Sequence, residues 1–353
     1  MTNHLWPAED LEAVGHCPVC KSVDRSVEHD DLVDRIFFAA PGIWTMWRCD
    51  DCHSGYLDPR PTSQSIGRAY SAYYTHSPTS AAALLPPAGI MSKLKRAAMN
   101  DFLNRKFGYN LRPALPLGLG YLVFSSIKKK ARNAAAMFRH LSAPEYGDHL
   151  LDIGCGNGTF LLLARDRLGH DVEGTEFDDA AAANAFQHGL KVHRAPLPGM
   201  GLPPNYYANV TMSHVLEHLH DPISALSEIF DILKPGGRVW IQVPNLDGAS
   251  HQYFGSDCRL LEPPRHLVMF TLQSLTDSLK AAGFIKIEPL ASENFANLMF
   301  NAGWMISQRI DPHVVPQPTI PAAILSAGNE AQIAYSGVSN QSEFLTIIAF
   351  KPK

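Results

Sequence analysis

The 353-residue chain is short of charge: Asp, Glu, Lys and Arg make up 18% of it, and its formal net charge is -4. Domains that bind nucleic acid are usually basic, so this composition argues against a general nucleic-acid-binding function. Residues 1–10 lack the basic start and apolar run of a signal peptide, so we expect a cytoplasmic protein. Internal repeats are also missing. The length favours a globular core with an appended module.

Cysteine is scarce too, but four of the six cysteines form two Cys-x-x-Cys pairs. Cys17 and Cys20 share one tight turn and Cys49 and Cys52 another, and two such turns supply the tetrahedral ligand set that zinc prefers. Twenty-eight residues separate the pairs, which is more than the usual spacing of about 15–20 but long enough for strands. Four buried thiols or two disulfides are the alternatives, and neither is typical of paired cysteines in a reducing compartment. We expect structural zinc.

Glycine, in contrast, is concentrated at one point in the middle of the chain. The apolar stretch 150–153 is followed by Gly154, Gly156 and Gly158 in alternation. A glycine-rich turn from a strand into a helix is typical of sites that hold a nucleotide-like ligand, although such turns also occur as plain connections. A dinucleotide fingerprint needs glycine or alanine at Thr159, so the spacing disfavours that kind of site.

The Asp-x-Gly-x-Gly-x-Gly pattern that begins at Asp152 resembles that of class I S-adenosylmethionine-dependent methyltransferases. Further elements of that family follow in order: a second strand that ends in an acid (171–176), a fourth strand with its turn (209–218) and a fifth strand (238–245). The resemblance implies an α/β fold with a doubly wound, mostly parallel seven-stranded sheet, joined here to an N-terminal zinc module and helical insertions. Strands that alternate with helices favour the same fold.

Composition and pattern divide the chain into three segments. We expect a zinc-binding module at 1–60, a helical linker and lid region at 61–145, and the methyltransferase core at 146–353 with an insertion at 292–343. Residues 75–89 are rich in Ser, Ala and Pro, which is typical of a linker.

The apolar segment 115–127 runs directly into a basic run at 128–132. Thirteen residues are too few to span a bilayer. One interpretation is a core or lid helix with a solvated basic end. The other is an interfacial segment at 111–132 whose basic cluster faces anionic lipid. The sequence leaves both open.

The family resemblance implies S-adenosylmethionine as the methyl donor. Asp152 and the three glycines would line the site of its amino-acid portion, and the acid at the end of the second strand, Glu176, would bind the ribose. Phe177 and Leu197 complete the predicted site, and Leu197 stands where many relatives place an acid near the adenine.

Methyl transfer requires the donor and acceptor to be aligned and, for a weak acceptor, the removal of its proton. His214, Glu217 and His218 are spaced to share one face of the turn after the fourth strand. His266 follows the fifth strand, and we favour it as the base. Arg265 would bind an anionic part of the acceptor, such as a phosphate. The bland alternative is that these residues only cap and pack their loops.

Two groups of methyltransferases resemble this arrangement in part. Sugar C-methyltransferases carry a four-cysteine zinc module, a histidine that matches His218, and a Glu-His pair where this chain has Arg265 and His266. Ubiquinone-type O-methyltransferases carry Glu-x-x-Glu-His on the same turn and use it with a divalent metal, whereas here His214 replaces the first acid. We expect a small-molecule acceptor that is a sugar or is glycan-like. A lipid-linked glycan is one form of this prediction. O-methylation of a quinone-like phenol and a non-catalytic scaffold are the alternatives.

Overall fold

The computed structural model describes residues 6–70, 89–291 and 295–353. The predicted linker at 75–89 lies outside the described residues except for Gly89. The chain forms two compact units. The histidine unit consists of Met1–Tyr74, Met212–Asp231 and Ile241–Lys353, and the glycine-loop unit of Thr75–Thr211 and Ile232–Trp240.

The strands in chain order are β1 Leu11–Glu12, β2 Arg25–Leu32, β3 Trp44–Cys49, β4 Gly55–Leu57, β5 Arg60–Pro61, β6 His149–Ile153, β7 Asp171–Thr175, β8 Lys191–His193, β9 Tyr207–Ser213, β10 Leu233–Pro244, β11 Val268–Met269, β12 Ile285–Pro289 and β13 Phe344–Phe350. The α-helices are α1 Ile90–Phe107, α2 Leu119–Ser126, α3 Lys128–Met137, α4 Thr159–Leu162, α5 Asp179–Gln187, α6 Pro222–Ile232, α7 Ala249–Phe254, α8 Leu272–Ala281, α9 Ala296–Ser307 and α10 Ala322–Ala334.

Seven strands form one sheet in the order β12-β13-β10-β9-β6-β7-β8. β6 pairs with β7 and β7 with β8 in parallel, whereas β12 and β13 are antiparallel. Leu150, Leu151 and Ile153 of β6 are at most 2% exposed, as expected for a parallel strand that is covered on both faces. The doubly wound, mostly parallel sheet predicted from the sequence is confirmed.

In the glycine-loop unit, α1 and α3 pack on the sheet through an apolar core that includes Phe102, Leu103 and Phe138. The helix predicted in the apolar segment is present as α2. It crosses α1 closely at Gly120, where an added Cβ would lie 2.3 Å from the carbonyl oxygen of Ala98. Only glycine allows this approach.

In the histidine unit, the sheet of the predicted zinc module is completed by a strand from a distant part of the chain. A four-stranded sheet runs β11-β4-β3-β2, and β11 pairs with β4 through Val268 and Tyr56. The fourth strand therefore comes from the segment that directly follows His266. Because β11 pairs with β4, residues 1–74 and the segment around β11 belong to one compact unit. The predicted segment limits at residues 60 and 145 remain predictions.

Other elements lie close to their predicted places, with two differences. β10 begins at Leu233, five residues before the predicted start at Arg238, and the predicted insertion contains a second helix, α10, that the sequence did not indicate. α10 packs on α9 through Phe300 and Ile324. Among the described residues, every helix is too short or too polar to cross a membrane.

Candidate active site

The glycine loop connects β6 to α4 in a conformation that side chains rarely adopt. Gly154, Gly156 and Gly158 have φ angles of 67°, 55° and 81°, in the left-handed region that favours glycine. A Cβ added at Gly156 would meet nothing within 4 Å, whereas one at Gly158 would lie 2.3 Å from Leu190. Gly158 is therefore required by packing, and Gly156 borders the open space that a ligand needs.

Glu176 joins this loop to the loop after β7. Its carboxylate accepts hydrogen bonds from the backbone N–H of Gly156 (2.7 Å), Phe177 (2.8 Å) and Asp178 (2.8 Å). A carboxylate has about four acceptor positions, so one remains for a ribose hydroxyl. The Phe177 side chain beside it is 81% exposed. An open cradle, a partly free acid and an exposed ring fit S-adenosylmethionine. The predicted Leu197 is half-buried in the loop after β8.

Asp152 has a different environment from the one expected of a residue that lines a ligand. Its side chain is 1% exposed, forms an ion pair with Arg139 and accepts a hydrogen bond from the Thr211 hydroxyl at 2.9 Å. Burial raises the pKa of this carboxyl, and the Arg139 charge opposes that rise. These contacts make Asp152 an internal support of the loop.

The candidate catalytic turn follows β9 in the histidine unit. Glu217 is fully buried, and its Oε1 lies 3.3 Å from Nδ1 of His214. Burial by itself would raise the pKa of Glu217, but the His214 hydrogen bond and the nearby imidazoles hold it below its usual range. Glu217 is thus a buried carboxylate that is ready to stabilise positive charge on a neighbouring imidazole.

Two main-chain carbonyls fix the orientation of the other imidazoles. Nδ1–H of His218 donates to the Arg265 carbonyl at 2.9 Å, and Nδ1–H of His266 donates to the Leu260 carbonyl at 2.7 Å. The two ring centroids are 4.8 Å apart. Because Nδ1 carries the proton in both rings, each Nε2 keeps its lone pair. This is the state that a general base or a metal ligand requires.

The two histidines differ in access. His266 is 4% exposed, and burial lowers its pKa to about 4, whereas His218 is only half-buried. A base must lie within reach of the proton that it accepts. Access therefore favours His218 over His266, which is the histidine preferred from the sequence. His266 packs beside His218.

Arg265 also has a different environment from the predicted one. Its side chain is fully buried, and its guanidinium donates to both carboxylate oxygens of Asp34, at 2.8 and 3.2 Å. A third hydrogen bond goes to the Ala69 carbonyl at 3.0 Å. Such a bidentate pair leaves little capacity for an anionic acceptor. The predicted contact of Arg265 with a phosphate of the acceptor is therefore not supported by the structure. Arg265 is instead held by Asp34, and its main-chain carbonyl accepts the hydrogen bond that orients His218.

Asp34 and Tyr70 belong to this cluster but were not predicted from the sequence. Tyr70 Oη lies 3.0 Å from Nδ1 of His218. Asp34 also accepts backbone N–H bonds from residues up to Ala40, and an acid in a turn is a recognisable local signal. Its partner Arg265 stands 231 positions further on, so no local pattern could connect them.

Glu217, His218 and His266 could also hold a divalent metal. One ligand atom from each lies within 4.8 Å of the others. In the part of the chain that the structure describes, Oε2 of Glu217 is buried without a hydrogen-bond partner. Two imidazoles and a carboxylate are a common ligand set for transition metals.

The cysteine pairs form two matched turns. Lys21 N–H donates to the Cys17 carbonyl at 2.9 Å, and His53 N–H donates to the Cys49 carbonyl at 3.0 Å. Lys21 and His53 both have positive φ, at 67° and 61°. The same strained geometry at two places far apart in the chain indicates a shared requirement: both turns must aim their thiols at one point.

The four sulfur atoms meet at that point. Sγ of Cys17 lies 3.6 Å from that of Cys52, and Sγ of Cys20 lies 3.4 Å from that of Cys49. A zinc–sulfur distance of about 2.3 Å in a tetrahedron places neighbouring sulfurs about 3.8 Å apart. The hydrogen bond between Cys17 and Cys52 lowers the pKa of Cys52 and raises that of Cys17, so Cys52 is the thiol of this pair that ionises more readily. Number and spacing of the sulfur atoms fit zinc.

Comparisons with known proteins agree with this geometry. A family model for a methyltransferase domain matches residues 124–288. A ubiquinone biosynthesis O-methyltransferase from Ruegeria pomeroyi is 30% identical over 178 residues, which are 47% of this chain and 70% of that protein. The protein of the same name from Aeromonas salmonicida is 33% identical over 107 residues, 28% of this chain and 44% of that protein.

Among solved structures, a SAM-dependent methyltransferase from Archaeoglobus fulgidus aligns with a TM-score of 0.43 and 20% identity, over 65% of this chain and 94% of that one. The chain spans only about half the length of several curated relatives. One example is the ubiquinone biosynthesis O-methyltransferase from Pectobacterium carotovorum, of which it covers 50%. The extent of the Ruegeria match, together with the glycine loop and the sheet order, shows the family. The chain belongs to the class I S-adenosylmethionine-dependent methyltransferases.

Proposed function

We propose that this chain transfers a methyl group from S-adenosylmethionine to a hydroxyl group of a small-molecule acceptor, with His218 as the base. The observation that carries the proposal is the paired orientation of His218 and His266, whose Nδ1 protons are both held by main-chain carbonyls beside the buried carboxylate of Glu217. Membership of a methyltransferase family favours this enzyme over the non-catalytic scaffold.

The reaction needs one bond formed and one broken. S-adenosylmethionine supplies a methyl carbon that carries a good leaving group, so alignment is the main requirement. The acceptor oxygen forms a bond to that carbon while the carbon–sulfur bond breaks, and the electron pair leaves with the sulfur as a neutral thioether. His218 Nε2 accepts the hydroxyl proton. Glu217 stabilises the resulting imidazolium, because its negative charge lies in a buried place where charges interact strongly.

Two acceptor classes present a hydroxyl of this kind. The four-cysteine module supports a sugar or glycan, through the resemblance to sugar methyltransferases. The names of the Ruegeria and Aeromonas relatives support a quinone-like phenol. For C-methylation, a base must remove a proton from carbon. The Glu-His pair used there is absent, because Arg265 stands in place of the glutamate and forms a buried ion pair with Asp34. O-methylation is therefore the proposed reaction for both classes.

In this proposal the four-cysteine cluster has a structural role and takes no part in the reaction. We propose that Cys17, Cys20, Cys49 and Cys52 hold one zinc ion in a closed shell. Such a site would fix β3 and β4, and through β11 the segment that carries His266. The cytoplasmic location expected from the sequence remains an expectation.

A metal at Glu217, His218 and His266 is the second candidate arrangement, favoured by the unpaired Oε2 of Glu217. A divalent ion there would act as a Lewis acid on the acceptor oxygen. Metal content separates the two arrangements. If the protein contains one equivalent of metal per chain and Glu217→Gln leaves it unchanged, the result supports His218 as the base. If the protein contains a second equivalent and Glu217→Gln removes it, the result supports a metal at Glu217, His218 and His266.

Transfer of a labelled methyl group tests the reaction itself. The protein would be incubated with labelled S-adenosylmethionine and, in separate reactions, with catechol-type phenols, nucleotide sugars and lipid-linked glycans. We expect label in one acceptor class, attached through oxygen and absent with Gly156→Val. Label bound to carbon or nitrogen, or no transfer to any of these acceptors, would contradict the proposal.

A further inference from the structure

The first three helices carry a charge opposite to that of the whole chain. Across Ile90–Met137 the sequence has one acid, Asp101, against ten basic residues: Lys93, Lys95, Arg96, Arg105, Lys106, Arg112, Lys128, Lys129, Lys130 and Arg132. The net charge of this segment is +9 (10 - 1), although that of the chain is -4. Positive charge of this density attracts an anionic partner over about 10 Å at moderate ionic strength.

The same segment exposes large apolar side chains. Ten of them are exposed. Nine lie in the first turns of α1 and in and around α2: Ile90 88%, Met91 67%, Leu94 52%, Leu117 88%, Leu119 49%, Tyr121 37%, Leu122 58%, Val123 49% and Ile127 43%. The tenth, Met137 (54%), ends α3. Scattered apolar residues on a surface are normal, but a dense group of them marks a site of interaction.

The packing of α2 shows that this exposure belongs to one side of the helix. Phe124 stacks on Phe102 of α1 with ring centroids 5.1 Å apart, and Gly120 lies against Ala98. These contacts cover the side of α2 that faces α1. Leu119, Leu122 and Val123 are left exposed, and the exposed lysines 128–130 begin α3. We call Ile90–Lys95 together with Leu117–Arg132 the basic apolar surface.

We propose that the basic apolar surface docks on a lipid bilayer that contains anionic headgroups. Exposed leucine and isoleucine beside lysine is the composition of helices that lie in the membrane interface, with apolar side chains in the acyl boundary and ammonium groups among the phosphates. Nucleic acid offers the same negative charge but no apolar layer for Leu117 and Leu122. The surface lies on the membrane and does not cross it, since the eight residues of α2 extend about 12 Å.

Co-sedimentation of the full-length protein with lipid vesicles tests this inference, independently of the proposed acceptor. The vesicles would contain phosphatidylcholine alone or with phosphatidylglycerol. We expect binding to the mixed vesicles that weakens as salt is added. Replacing Lys128, Lys129 and Lys130 by glutamine should lower the partition coefficient about 100-fold, at about 1 kcal/mol for each basic residue. Leu119→Ser with Leu122→Ser should lower it about 10-fold or more.

Control variants carry comparable substitutions elsewhere. Phe186→Ser removes an exposed ring from α5, and glutamine at Lys280, Lys286 and Lys353 removes three exposed lysines. Both controls should bind like the parent protein, and every variant should retain S-adenosylmethionine binding as evidence of folding. The inference is overturned by equal binding to both kinds of vesicle, by equal losses in variants and controls, or by binding to a nucleic acid probe without binding to vesicles.

Discussion

The glycine loop and the histidine cluster (His214, Glu217, His218 and His266) are built in opposite ways. The loop is a contiguous segment, Gly154–Gly158, closed by Glu176 only 20 positions from Gly156. The histidine cluster depends on contacts between distant residues, such as Tyr70 with His218 (148 positions) and Asp34 with Arg265 (231 positions). One site follows from local backbone conformation, and the other exists only when the whole unit has folded. Their stabilities and their responses to mutation should therefore be separable.

The largest expected effect is on the histidine side. Cys49→Ser should remove one ligand of the proposed zinc ion and release it. The loss should be large, because structural zinc sites contribute roughly 10 kcal/mol of binding free energy to folding. We expect metal analysis to fall from one equivalent to none and turnover to be lost, while calorimetry still shows S-adenosylmethionine binding. Cys258→Ser, a fully buried cysteine outside the cluster, is the control and should keep its metal. Loss of cofactor binding together with the zinc would show that the two sites are not separable.

Gly156→Val should weaken cofactor binding without changing the zinc content, which is the opposite of the result expected for Cys49→Ser. A side chain there occupies the open space beside the loop, so we expect the Kd for S-adenosylmethionine to rise about 100-fold or more while the zinc content stays the same. Gly147→Val is a matched control, since Gly147 also has positive φ (80°) and open surroundings. Both variants carry a similar backbone strain of about 1–3 kcal/mol. Equal affinity in the two would remove Gly156 from the site.

This difference also explains what the sequence could predict. The glycine pattern predicted its loop because φ preference and spacing act within a few residues, and the strands around it followed from the apolar pattern. The place of Arg265 was mispredicted because its environment comes from Asp34, in a different segment. The sequence also did not predict that His218 is half-buried and His266 buried, because contacts with distant segments decide this difference as well. Burial is a property of the packed unit, and residue type alone does not fix it.

Asp34→Asn should weaken the histidine unit by about 3–5 kcal/mol, because it leaves the buried Arg265 charge without its partner. Turnover should fall as the Arg265 carbonyl that holds His218 loses its support, with the Kd for S-adenosylmethionine unchanged. Asp257→Asn is the control, since its ion pairs with Arg35 and Arg309 are partly exposed and worth about 1 kcal/mol or less each. Denaturant unfolding and steady-state kinetics measure both. A loss no larger than that of the control would mean that the buried pair does not position the cluster.

The smallest expected effect on stability is a pH dependence of the glycine-loop unit. Burial lowers the pKa of His170 to about 4, and its Nε2 lies 2.9 Å from the Tyr109 hydroxyl. The folded-state pKa is below the unfolded value of about 6.5. The stabilisation is therefore complete above pH about 6.5 and is lost as the pH falls towards 4, by roughly 3 kcal/mol in total. His170→Gln should flatten this part of the stability curve, whereas the exposed His188→Gln should not. An unchanged curve in His170→Gln would contradict the assignment.

The most direct test of the histidine cluster compares His218→Gln with His266→Gln at saturating acceptor and donor. A positioned base contributes about 10²–10⁴-fold to the rate. We predict that His218→Gln lowers kcat by that factor and leaves the Kd for S-adenosylmethionine unchanged, that His266→Gln lowers kcat about 10-fold through positioning, and that His188→Gln changes neither quantity. Near-normal turnover in His218→Gln, or a larger loss in His266→Gln than in His218→Gln, would contradict the account.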